Sequence, residues 1–200
     1  MSTIILRGGV EVRNPLEVAL EFLAAYSSYD AYGSSEPASF DESDLRLANR
    51  GGARISAAEI AAILERRGEI ERALRKIHPD ASLADTTSSI PWILLTRLFD
   101  AFADIRGVGF SKMTKALHRK RPALIPMLDS VVQTYLTRND PATRSSGSFG
   151  EHATALVRSY KQDLDRNRSA LRKIQRELAS RDYRLTEVRI LDLLIWSVNA

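Results

Sequence analysis

The run Ile105-Arg106-Gly107-Val108-Gly109-Phe110-Ser111-Lys112 has the residue types to hold a phosphate, and Asp129, in Ile125-Pro126-Met127-Leu128-Asp129-Ser130-Val131-Val132, can bring a carboxylate beside it. A helix that ends in Gly-Val-Gly and restarts with Ser-Lys presents backbone N–H groups at a helix N-terminus, where anions bind favourably. Gly107 and Gly109 tolerate positive φ and allow close approach to the backbone, while Lys112 and Lys115 add phosphate contacts from the next helix. A fixed carboxylate at Asp129 can stabilise a positive charge that develops in a transition state, or orient an attacking water. Its plainer role is a helix N-cap, and the two roles are compatible. The pattern points to DNA handling with chemistry attached.

Those residues must be positioned by a chain of 200 residues, enough for one substantial core or for two lobes sharing an interface. With 29 Lys+Arg against 25 Asp+Glu the net charge is only +4, which permits a polyanionic partner without requiring one. Distribution is more telling, because Lys112, Lys115, His118, Arg119, Lys120 and Arg121 cluster beside the glycine hairpin. The absence of cysteine excludes disulfides, a thiolate zinc site, a cysteine nucleophile and an iron–sulfur cluster. His78, His118 and His152 lack metal-ligand spacing, so neither metal nor cofactor is expected. No signal-peptide pattern and no apolar run of membrane length is present, and the expectation is a soluble, cytoplasmic monomer with DNA as its partner.

Periodicity predicts an all-α fold. Residues 2–13 form an extended arm with a Gly8-Gly9 turn. Pro15 opens a helix to about Ser28, and a Tyr/Gly/Ser-rich loop follows to Ser39. A short helix, Asp41 to Ala48, breaks at Asn49-Arg50-Gly51-Gly52. Ser56 and Glu59 form a capping-box pattern opening a helix to about Ile77, with Gly68 as an internal weak point. Pro91 and Trp92 begin the helix that leads to the hairpin. Helices are expected at 111–118 and 131–137, and three more at 151–165, 168–180 and 186–198.

The hairpin followed by a Pro-x-x-Asp-Ser-Val segment resembles the helix-hairpin-helix DNA glycosylase superfamily, the group of endonuclease III and the 3-methyladenine glycosylases. In that group a Leu-Pro-Gly-Val-Gly hairpin precedes a Val-Asp-Thr-x-Val segment whose aspartate is catalytic. The resemblance spans about Leu98 to Leu136 and implies that Gly107, Val108, Gly109, Ser111, Lys112 and Lys115 bind DNA and that Asp129 is catalytic. It implies base flipping and a two-lobed architecture in one unit over 1–200: a central lobe over about 40–137 carrying the hairpin at 105–112, and a second lobe where 1–30 meets 151–200. Arg106 stands where the superfamily has proline, and Thr134 where it often has arginine. Ser111 stands where bifunctional relatives carry a nucleophilic lysine, with Lys112 about 100° further around the helix. These departures favour a monofunctional hydrolase, acting in repair or in defence against modified foreign DNA. A non-catalytic helix-hairpin-helix DNA-binding protein is the alternative, and a helical interaction protein with a tight Gly-Val-Gly turn is a third. The same segment is also similar to uncharacterised bacterial proteins grouped as a domain of unknown function, which supplies no activity.

Outside the motif, Tyr29 and Tyr32, near a glycine-containing loop, can stack on a flipped base, as can Tyr26. Trp196 reads as core or as the wall of a base pocket. Trp92, Phe99 and Phe102 have the spacing of core residues, Asp41 and Asp44 that of caps, and the mixed charges over 161–181 that of a solvated helix face.

Overall fold

The computed structural model describes residues 3–26, 29–30, 36–86, 89–140, 143 and 147–199. Among them the architecture is all-α, with one minimal antiparallel ribbon, β1 (Ile4–Ile5) and β2 (Glu11–Val12). The helices are α1 (Pro15–Tyr26), α2 (Glu42–Arg50), α3 (Ala57–Glu65), α4 (Arg67–Arg75), α5 (Trp92–Asp100), α6 (Phe110–His118), α7 (Ser130–Asn139), α8 (Phe149–Ala179) and α9 (Glu187–Asn199). No helix among the described residues is long and apolar enough to cross a membrane.

Local signals account for most of these starts. Asp41 accepts from the Ser43 N–H while the Asp44 carboxylate accepts from the Asp41 N–H, so both aspartates close a capping box on α2. Ser56 with Glu59, and Ser148 with Glu151, do the same for α3 and α8. Asp100 adds a second tie to α8, its Oδ1 accepting from the Gly150 N–H at 2.6 Å, at a site where any Cβ would strike Asp100 and the Thr96 carbonyl.

Two boundaries differ from the sequence expectation. The single helix over 56–77 is two, broken at Arg66 (φ −94°, ψ 8°), whose N–H turns back to the Ile63 carbonyl. That tight turn just before Gly68 redirects Ile70 and Leu74 into the core. The two helices over 151–165 and 168–180 are instead one of 31 residues, α8. Asn167, a poor helix former, is held mid-helix because its side chain is a bridge: Oδ1 accepts from the Ile5 N–H, and Nδ2 donates to the Ile5 and Asp163 carbonyls.

The chain ends meet. α1 packs on α9 and α8, and β1 lies along α8. Arg7 anchors the arm, its Nε donating to Asp163 Oδ2 at 2.6 Å and its Nη1 to the Ser159 hydroxyl, with a further bond to the Ser159 carbonyl. A single connected apolar core runs from Ile4 through Phe99, Phe102 and Leu128 to Ile195.

Candidate functional site

A cavity of about 500 Å³ opens where the segment after α1, the α2–α3 turn, α6, the connector before α7, and α9 converge. That volume lies in the range of pockets that take small organic ligands, about 300–1,000 Å³. On α9, Arg189, Asp192 and Trp196 fall three and four residues apart and so share the face that lines it. Phe22 and Tyr26 of α1 meet Trp196 edge to face, with centroids 5.4 and 5.7 Å from the indole. Tyr26 is 54 % exposed and so stands at the rim, whereas Tyr29 is buried in the wall.

The Tyr29 hydroxyl donates to the Lys115 carbonyl at 2.9 Å, and its ring lies so close to Gly51 that a Cβ there would come within 2.7 Å of it. Gly52, at φ +77°, completes the turn with a backbone conformation that suits glycine. The Asn49-Arg50-Gly51-Gly52 stretch is thus cavity wall as well as helix stop. Exposed Arg50 and Arg54 add positive charge around it.

Asp129 caps α7, Oδ1 accepting from the Val132 N–H at 3.1 Å, and lines the cavity at the same time. Its Oδ2 lies 4.0 Å from Lys115 Nζ. Burial pushes the Lys115 pKa down, with the Asp129 charge opposing that shift. Asp192 is 3 % exposed; its Oδ2 accepts from the Met127 N–H at 3.1 Å, and its Oδ1 has no hydrogen-bond partner. Burial pushes the Asp192 carboxyl up to about 7, against the pull of the neighbouring Arg189. Arg189 is itself held in a fork by Asp30, with both nitrogen–oxygen distances 2.8 Å.

Of the residues singled out from sequence, Asp129, Lys115, Tyr29 and Trp196 come together in this cavity, and Tyr32 lies outside the described residues. The hairpin stands apart from it. Gly107 takes φ +82°, and a Cβ there would lie 2.2 Å from Glu59 Oε1. Gly109 is the N-cap of α6, with no side-chain cap and open space where a Cβ would be. Val108 is buried beneath the turn, and Ser111 is half-buried in the first turn of α6.

The expected basic surface is largely internal. Lys112 is paired with Glu59 at 2.6 Å, and Lys115 faces Asp129, so neither is a simple outward phosphate contact. His118 is buried with Nδ1 at 2.6 Å from the Ile125 carbonyl, and desolvation pushes its pKa down to about 4. Lys120 pairs with buried Asp44 at 2.8 Å. Arg121 Nη2 donates to the Leu74 and Ile77 carbonyls at the end of α4, while its Nη1 donates to those of Pro37 and Lys120. Those cations cap and pair within the protein because the turn after α6 carries them inward.

Phe22, Met127, Arg189 and Asp192 were not foreseen. The available signal was Arg189 and Asp192, two charged residues three apart in an otherwise apolar run from Val188 to Ile195. No group of His, Cys, Asp and Glu among the described residues has the arrangement of a metal site.

The chain belongs to a family of unknown function, DUF6308, whose model matches residues 20–199 and therefore takes in every wall of the cavity. No curated protein and no solved structure matches it.

Proposed function

We propose that this protein is a monofunctional DNA glycosylase of the helix-hairpin-helix type, hydrolysing the N-glycosidic bond of a damaged or modified base flipped out of DNA. One observation carries the reading: the carboxylate that follows the Gly-Val-Gly hairpin is fixed at a helix N-terminus and faces an aromatic-lined cavity of small-ligand size. An extruded base would stack among Phe22, Tyr29 and Trp196. As the C1′–N bond breaks, the base leaves with the electron pair and positive charge spreads over C1′ and the ring oxygen. Asp129, anchored through Oδ1, stabilises that charge while water adds to C1′ and gives up a proton, which the departing base takes up. The uncapped N-terminus of α6 at Gly109 suits a backbone phosphate. Arg50 and Arg54 add positive charge at the mouth of the cavity.

A second reading is favoured by Lys115, one turn beyond Ser111 on the same face of α6 and directed at Asp129. A deprotonated Lys115 amine attacking C1′ would expel the base and give a Schiff base, with strand scission by elimination. Lys112, tied to Glu59, is not placed for that step.

Single-turnover assays on a panel of damaged, modified and virus-derived DNAs test both readings. Asp129→Asn is expected to slow base release by about 10²–10³-fold or more while DNA binding and folding persist, since asparagine also caps. Near-normal turnover by the variant on the true substrate would refute the proposal. Borohydride added during turnover is expected to trap no adduct, whereas a covalent adduct lost in Lys115→Ala would establish the second reading.

A further inference from the structure

Of the charged side chains that line the cavity, Asp192 is the most deeply buried. Arg189 is held by Asp30, Lys115 faces Asp129, and the Tyr29 hydroxyl is committed to a backbone carbonyl. Asp192 lines the same cavity with one oxygen satisfied by the Met127 N–H and the other buried without a partner. Buried polar atoms are seldom left in this state unless something else completes them.

We propose that Asp192 reads the ligand: its Oδ1 donates a hydrogen bond to a carbonyl oxygen or ring nitrogen of a neutral planar heterocycle, which makes nucleobases with an acceptor on that edge the ligand class. Oδ2 already accepts from Met127, so the proton of the neutral acid belongs on Oδ1. A neutral ligand that fills the cavity removes further water from the carboxyl and favours its protonated form. The groups around it are Arg189 on its own helix, Lys115 on α6, Asp129 before α7, and Tyr160 on α8. The Tyr160 hydroxyl is close but donates to the Val188 carbonyl at 2.7 Å. Burial, joined by the Asp129 charge, favours the acid, whereas Arg189, the Met127 N–H and the Tyr160 hydroxyl favour the charged carboxylate. Since the free protein has Asp192 titrating at about 7, ligand affinity is highest below that pH and is lost as pH rises through it.

This inference rests on the cavity being the base pocket of the proposed glycosylase, but its test needs no DNA. Isotope-labelled protein is titrated with hypoxanthine, which carries acceptors, and with indole, which has an N–H and no acceptor, and the Trp196 indole N–H signal is followed. Hypoxanthine is expected to shift that signal and to bind about tenfold more weakly at about pH 8 than at about pH 6, while indole binds poorly at both. Asp192→Asn, whose amide can accept from Met127 and donate to the ligand, should bind hypoxanthine equally at both pH values. Asp192→Leu should not bind it, and if that variant fails to fold, the flat profile of Asp192→Asn decides. Absence of hypoxanthine binding, a flat profile in the unmodified protein, the same slope in Asp192→Asn, or indole binding as tightly as hypoxanthine would each overturn the proposal. Base release from DNA combined with any of those results would leave the glycosylase reading intact and remove this one. The expected profile without base release from DNA would do the reverse.

Discussion

The cavity side of α6 and the turn that follows the helix treat polar groups in opposite ways. At and just beyond the C-terminus of α6, His118, Lys120 and Arg121 are buried and partnered by a carbonyl, a carboxylate and four carbonyls respectively. On the cavity side, Lys115 stands 4.0 Å from its carboxylate, and Asp192 across the space has a bare oxygen. Around the turn the basic groups are drawn onto backbone carbonyls and a carboxylate, whereas the groups at the cavity keep capacity that the fold does not use. The distinction lies in partners and not in residue type, since the same basic run supplies both.

The largest effect on stability should come from the C-terminal end of α6 and the turn beyond it. Lys120→Met leaves Asp44 charged, buried and without its cation, and is expected to lower the free energy of unfolding by about 3–5 kcal/mol, read from urea denaturation. Base release per folded molecule should be unchanged. A loss of turnover larger than the loss of folded protein would show that this end also serves the site.

A pH contrast sharpens the comparison. His118 is depressed to about 4 in the fold, so the unfolded chain takes up a proton first and stability falls as pH drops from about 6.5 towards 4. Asp192 is raised to about 7, so the folded chain holds the extra proton and stability falls as pH rises from about 3.8 towards 7. The two slopes oppose each other over the shared window, each amounting to a free-energy change on the order of 3 kcal/mol. The protein should therefore show a shallow stability profile between about pH 4 and 6.5, whereas Asp192→Asn should lose stability steeply on acidification. Thermal melts across that range check it, and parallel profiles for the two proteins would refute the assignment.

The smallest effects belong to the hairpin. Gly107→Ala forces a side chain into positive φ and against Glu59, at a cost of about 1–3 kcal/mol in stability. Gly109→Ala meets no atom and should fold normally. Because Lys112 is already paired with Glu59, Lys112→Ala should change DNA affinity by less than about threefold and leave the salt slope nearly unaltered. A slope reduced by about one unit would place Lys112 on a phosphate after all.

How much of this was legible depended on the range of the interaction. The caps at Asp41, Ser56 and Asp129 are local and were read from sequence, as was the hairpin. The continuity of α8 was not, because Asn167 is held by Ile5 from the far end of the chain. For the candidate site, Asp129 was visible because a motif surrounds it. Arg189 and Asp192 carry none, and their meaning arises only when α9 packs beside the connector carrying Met127. The inward turn of His118, Lys120 and Arg121 was hidden for the same reason, since their partners Ile125, Asp44 and Leu74 lie on three different segments.

The pairing of α1 with α9 also has a consequence for how the molecule comes into being. A ribosome delivers the hairpin, Asp129 and Lys115 well before Arg189, Asp192 and Trp196. Until α9 emerges, Leu23 of α1 and Leu128 lack the apolar neighbours that α9 brings to the core they share. The cavity therefore cannot close until α9 has emerged, and a nascent chain stalled before α9 would display this apolar surface to chaperones and proteases.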